Sequence, residues 1–159
     1  SEIARFTADG LTFNGDTATA NALDDYEEGT YTVGFFDASS GGNQSSTTAT
    51  GYYTKIGRTV HIQFWLNNIS TTGLTSGNRA FISLPFDSNT NPRTVQAPYV
   101  VNVNFSGSYI VFGEIADSGP KSRFGLIDII DNGSSTGLNV SAFANGTSSL
   151  SASLTYITN

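Results

Sequence analysis

The sequence predicts an all-β fold, a jelly-roll-like β-sandwich of about eight strands behind a short N-terminal β segment. Three observations predict it. Helical periodicity is nearly absent, and apolar and polar side chains alternate instead. Gly, Asn and Ser divide the chain at roughly the ~8–12-residue spacing of a sandwich. Only 13% of the residues are charged, and Thr, Ser, Asn and Gly fill the gap, as suits a β-rich surface kept soluble by hydroxyls and amides.

The elements follow in order. Ile3-Ala4-Arg5-Phe6 and Leu11-Thr12-Phe13 read as two short strands around the turn Ala8-Asp9-Gly10, closed by Asn14-Gly15. Two strands this short do not hold together alone, so they need the body of the domain or another chain. Thr17 to Glu28 tolerates a helical turn and reads as a linker. Residues 1–28 are therefore expected to be a shaft or assembly segment, and 29–159 the sandwich.

In the body, Thr30 to Phe36 reads as a strand, Asp37 to Thr47 as a loop, and Thr48 to Ile56 as a strand ending at the Gly57-Arg58 turn. Thr59 to Ile69 is the clearest strand. Val60, Ile62, Phe64 and Leu66 point one way, and His61, Gln63, Trp65 and Asn67 the other. Arg79 to Leu84 reads as the next strand, followed by a loop from Asp87 to Pro92. Val95 to Phe105 and Tyr109 to Ala116 read as a hairpin across Ser106-Gly107-Ser108. Arg123 to Ile130, a short strand at Leu138 to Phe143, and Leu150 to Ile157 complete the set. In the last of these, Leu150, Ala152, Leu154 and Tyr156 alternate inward. Strand order does not follow from one sequence.

Composition narrows function. The 159 residues include 11 Phe, 7 Tyr and 1 Trp, enough for one packed core. The net charge is −6, and the seven Lys and Arg residues are scattered, which argues against nucleic acid. Cys is absent, so disulfides and thiolate metal sites are excluded. No apolar run approaches the ~20 residues of a helical membrane span. Met is absent even at position 1, so Ser1 reads as an internal residue of a longer protein or a processed end.

Two stretches carry a family resemblance. One is Asn14-Gly15-Asp16-Thr17-Ala18-Thr19-Ala20-Asn21-Ala22-Leu23-Asp24-Asp25-Tyr26-Glu27-Glu28-Gly29-Thr30-Tyr31-Thr32. The other is Gly51-Tyr52-Tyr53-Thr54-Lys55-Ile56-Gly57-Arg58-Thr59-Val60, with Leu84-Pro85-Phe86 after it. The chain resembles the C-terminal domain of tail-fibre and related appendage proteins of tailed phages, notably aquatic and cyanobacterial ones. Tyr31-Thr32-Val33 departs from the Trp-Thr-Pro more usual in that family. The resemblance implies a β-sandwich, trimeric on a fibre axis, among other virion proteins and serving virion structure or host contact. It carries over no ligand and no catalytic residue.

Trp65, with His61, Gln63 and Asn67 on its face, is the candidate glycan-binding site. An indole stacks on the C–H face of a sugar, and neighbouring amides orient its hydroxyls. The competing reading covers this face with a second sheet or a neighbouring subunit. The acidic run Asp24, Asp25, Glu27 and Glu28 lacks the Asp-x-Asp-x-Asp-Gly pattern of a calcium loop and reads as a solvated connector, and Asp128 and Asp131 read likewise. Neither a metal site nor a cofactor is expected. Glu114, Asp117 and Asp87 are the carboxylates a glycosidase would need, but no pattern pairs them. The single His61 has no Ser or Cys partner recognisable by motif, so no enzyme is expected. Six Asn-x-Ser/Thr sequons, at Asn43, Asn68, Asn104, Asn132, Asn139 and Asn145, are what chance gives in a chain of this composition. The expectation is a virion fibre domain that binds a host glycan, with a capsid decoration, head-fibre or trimerisation domain as the alternative.

Overall fold

The structure, a computed structural model, describes residues 3–8, 10–18, 22–23, 25–89, 94–104, 110–115, 121–129 and 135–158. Its strands are β1 (Ala4–Thr7), β2 (Gly10–Phe13), β3 (Tyr26–Phe36), β4 (Gln44–Ile56), β5 (Thr59–Ile69) and β6 (Phe81–Ser88). They continue with β7 (Thr94–Gln96), β8 (Tyr99–Val101), β9 (Ile110–Ile115), β10 (Lys121–Ile129), β11 (Ser135–Gly137) and β12 (Ser148–Ile157). The all-β sandwich expected from the sequence is the fold observed.

β1 and β2 form their own antiparallel hairpin, with Ala4 opposite Phe13 and Phe6 opposite Leu11. All the other strands join one antiparallel sheet in the order β7-β9-β10-β6-β3-β4-β5-β12-β8, with β11 beside β10. The two ends of that order, β7 and β8, are neighbours in sequence, separated only by Ala97 and Pro98. A sheet whose ends are tied by two residues has to curl onto itself, and the interior bears this out. Phe64 of β5 meets Phe124 of β10 at 6.3 Å between ring centroids, although three strands separate them in the sheet.

β5 shows how sequence period becomes core. Val60, Ile62 and Leu66 are fully buried and Phe64 nearly so, while Gln63, Trp65 and Asn67 are exposed. β12 runs antiparallel beside it and adds Leu150, Ala152, Leu154 and Tyr156 to the same interior. Val33 and Phe35 of β3, Ile82 of β6, and Phe124 and Leu126 of β10 close the core from the other half of the curl. The Phe35 ring stacks edge-on against Phe143 at 4.8 Å. Fully burying such side chains stabilises by roughly 1.5–3 kcal/mol each.

Several expectations need correction. The supposed linker ends early, because β3 begins at Tyr26, paired with Ile56. β4 likewise starts at Gln44, inside the expected loop, with Gln44 paired to Phe36 across an irregularity in the ladder. β6 continues past Leu84 through Pro85 to Ser88. Proline is tolerated there because β3 pairs only with Phe81 and Ile82, and the ladder to β10 shifts register over that stretch.

The expected long hairpin arm from Val95 is broken at Ala97-Pro98. β7 pairs with β9 as expected, but β8 crosses to β12 at the far edge of the sheet. Pro98 has no N–H for a ladder, and it restricts the residue before it. The turn at Ser106-Gly107-Ser108 and that at Asp131-Asn132-Gly133 lie outside the described residues. Leu138 to Phe143 is no strand but a 3₁₀ turn at Val140–Ala142. Its carbonyls accept locally, from Ala142 N–H to Asn139 and from Phe143 N–H to Val140. Leu138, Val140 and Phe143 are still buried, so the apolar signal was core without sheet.

Candidate functional site

The outer face of β3, β4, β5, β12 and β8 carries the candidate site. On this face Tyr52 stands opposite Gln63, and Gln63 opposite Ser153. Two residues along, Trp65 stands opposite Ser151, and Ser151 opposite Tyr99. Alternation thus places three rings from three strands on one side of the sheet. Tyr52, Trp65 and Tyr99 are 62%, 63% and 68% exposed. Tyr26 and Ile56, opposite each other on the same face, are the other exposed large apolar side chains among the described residues of the body. Exposed apolar groups gathered on one face mark an interaction surface.

Trp65 and Tyr99 stand on strands two spacings apart, roughly 9–10 Å. Between them β12 contributes only small residues, Ser151, Ala152 and Ser153. Large walls and a small floor make an open groove of about 670 Å³. Thr50, Gln63 and Gln96 complete its polar lining, and among the described residues no charged side chain lines it. The Ser151 hydroxyl donates to the Phe64 carbonyl at 3.0 Å, a bond that uses its hydrogen and leaves its acceptor capacity unused. Gln63 Nε2 reaches Ser153 Oγ at 3.5 Å. Rings for the C–H faces of a sugar and fixed amides and hydroxyls for its polar groups are therefore on one surface.

Of the four residues singled out in the sequence, Trp65 and Gln63 line the groove, and His61 and Asn67 do not. His61 Nδ1 lies 3.0 Å from Thr155 Oγ1, and Nε2 lies 3.4 Å from Ser153 Oγ. A Ser–His pair with a hydroxyl in the third position lacks the carboxylate that orients and stabilises an imidazolium. Asn67 accepts from the Ser149 hydroxyl beyond the groove. Tyr52, Tyr99, Ser151 and Ser153 are the residues that sequence reasoning missed. The alternation of β4 points Tyr52 to this face. Nothing in the sequence brings Tyr99 beside β12.

The described acidic residues are dispersed. Asp25 forms an ion pair with Lys55. Glu27 accepts from the Tyr53 hydroxyl and Glu28 from that of Tyr26, and these bonds push both phenols above their usual range. Successive residues of a strand face opposite ways, so Glu27 and Glu28 do not converge. Among the described residues no three His, Asp or Glu side chains gather in a metal-binding arrangement. Asp24, Asp117 and Asp131 lie outside the described residues. Asp87 is exposed on β6.

A second surface lies on the β1–β2 hairpin. Phe6 is 87% exposed and Phe13 51%, on the face that also carries Ala4. On the opposite, polar face Thr12 is buried, while Arg5 and Thr7 are exposed. No protein-family model matches the chain, and no curated protein matches it either.

Proposed function

We propose that the chain is a non-enzymatic virion module, the terminal domain of a tail or appendage fibre of a tailed phage, which attaches to glycan on the host surface. The observation that carries the binding reading is the groove walled by Tyr52, Trp65 and Tyr99 over Ser151 and Ser153. Its described lining has no carboxylate for glycosidic cleavage, which favours binding over hydrolysis. The virion assignment rests on the resemblance of residues 14–32 and 51–60 to phage fibre domains, and the homotrimer on that resemblance together with the apolar hairpin.

A fluorescent fusion of the chain tests the reading on a panel of aquatic and cyanobacterial cells. The wild-type fusion is expected to adhere to at least one strain, and Trp65→Ala to lose that adhesion while keeping its melting temperature. Equal adhesion of both fusions overturns the assignment of the groove. A second reading, a capsid decoration, head-fibre or trimerisation domain with no ligand, is favoured by the outward apolar face of the β1–β2 hairpin. It predicts adhesion to no cell and attachment to virion proteins through residues 2–15.

A further inference from the structure

The charge around the groove narrows what it takes. We infer that the groove binds an uncharged glycan chain, laid across the strands from Tyr99 over Ser151 to Trp65 and on to Tyr52, and rejects anionic polysaccharide. This inference rests on the glycan reading above and adds the chemical class of the ligand.

Three observations carry it. First, every described residue lining the groove is uncharged. A carboxylate, sulfate or phosphate on a sugar brings a desolvation cost that only a cationic or strongly donating partner offsets. Second, the cationic side chains described in the body are engaged elsewhere. Lys55 pairs with Asp25. Arg58 donates to the Thr158 carbonyl and Arg79 to that of Leu126. Arg123 donates to the carbonyls of Ala38 and Gly41. Third, a carboxylate shares this outer face: Glu28, opposite Thr54, which is opposite His61. The chain as a whole carries −6. An anionic polymer thus meets net repulsion and no counter-charge from the described lining of the groove.

What the groove does offer suits hydroxyls and C–H faces. Ser151 sits between Trp65 and Tyr99 in the ladder, so a ring lying over its hydroxyl is flanked on both sides by aromatic walls. Gln63, Gln96 and Thr50 supply neutral donors and acceptors around it. Tyr52 stands diagonally from Trp65, about 7–8 Å away across one strand pair. It extends the aromatic track beyond a single ring, so a chain rather than a monosaccharide fills it.

Trp65 is the only Trp in the protein, so indole emission reports on this site alone. The full chain is titrated with neutral polysaccharides (a β-glucan, a galactan and a mannan) and with alginate and polygalacturonate, in 50 and 500 mM salt. A saturable blue shift is expected with at least one neutral probe and with neither anionic one. Half-saturation should move by less than about twofold between the two salts. Tyr99→Ala should weaken binding about tenfold or more at unchanged melting temperature. A saturable, salt-sensitive shift with an anionic probe overturns the charge-class inference and leaves the glycan reading standing. No shift with any probe overturns both. Unchanged affinity in Tyr99→Ala overturns the placement of the chain.

Discussion

Trp65 and Ser151 are direct partners across the β5–β12 ladder. The groove exists because the largest side chain on this face is paired with one of the smallest. Enlarging Ser151 fills the floor without touching the core. Ser151→Phe is expected to abolish the Trp65 fluorescence response to any glycan that the wild type binds. The melting temperature should fall by no more than about 2–4 °C, since the loss is one hydrogen bond to the Phe64 carbonyl. Retained binding in a folded Ser151→Phe protein excludes the groove as the site.

The hairpin presents its apolar face outward, with Phe6 and Phe13 in solvent and Thr12 covered. Burying two such rings against other copies contributes several kcal/mol. Light scattering on the full chain is expected to give a trimer mass. The double variant Phe6→Ser, Phe13→Ser should be monomeric with the fold of the body unchanged. A wild-type monomer, or a trimer that survives the double variant, removes the hairpin from assembly.

Asp37 staples two loops. Its carboxylate accepts from the Asn43 N–H at 2.6 Å, the Asn43 side-chain amide at 2.8 Å and the Thr75 N–H at 2.8 Å. Burial alone would push the carboxyl up, but these donors outweigh it and hold the group at about 2. The folded value lies below the unfolded one, near 3.9. Its stabilisation is therefore complete above that pH and is lost as pH falls through about 2. Unfolding free energies from urea titrations of wild type and Asp37→Asn should converge between pH 5 and pH 2, from a gap on the order of 2 kcal/mol. A gap that does not change with pH assigns the effect to packing instead of charge.

What the sequence made legible was local. The two faces of β5 and the inward set of β12 follow from period 2, because each strand buries one side only. The curl was not legible, because it depends on where β7 and β8 go after Pro98, and edge pairing leaves no periodic trace. The site divides the same way. Trp65 and Gln63 lie on one alternating strand and were readable, whereas Tyr99 reaches them only through the β8–β12 pairing. His61 and Asn67 shared the face of Trp65, but hydroxyls of β12 engage both.

The last prediction contrasts two buried phenols. Tyr156 donates to the Phe86 carbonyl at 2.9 Å and receives the Phe86 N–H at 3.3 Å. The Tyr31 hydroxyl is buried with no hydrogen-bond partner among the described residues. Its ring lies over Gly51, where an added Cβ would come within 2.4 Å of it, so packing holds it in place. Burial raises the pKa of both phenols, so neither ionises in the range where the protein is handled. An unsatisfied buried hydroxyl costs about 1–3 kcal/mol, whereas a satisfied one contributes about 1 kcal/mol net. Tyr31→Phe is therefore expected to leave stability unchanged or raise it by up to about 1 kcal/mol, and Tyr156→Phe to lower it by about 1 kcal/mol. Chemical denaturation of the two variants with equal m-values checks this. Equal losses in both would place an unseen donor or acceptor, such as an ordered water, at the Tyr31 hydroxyl.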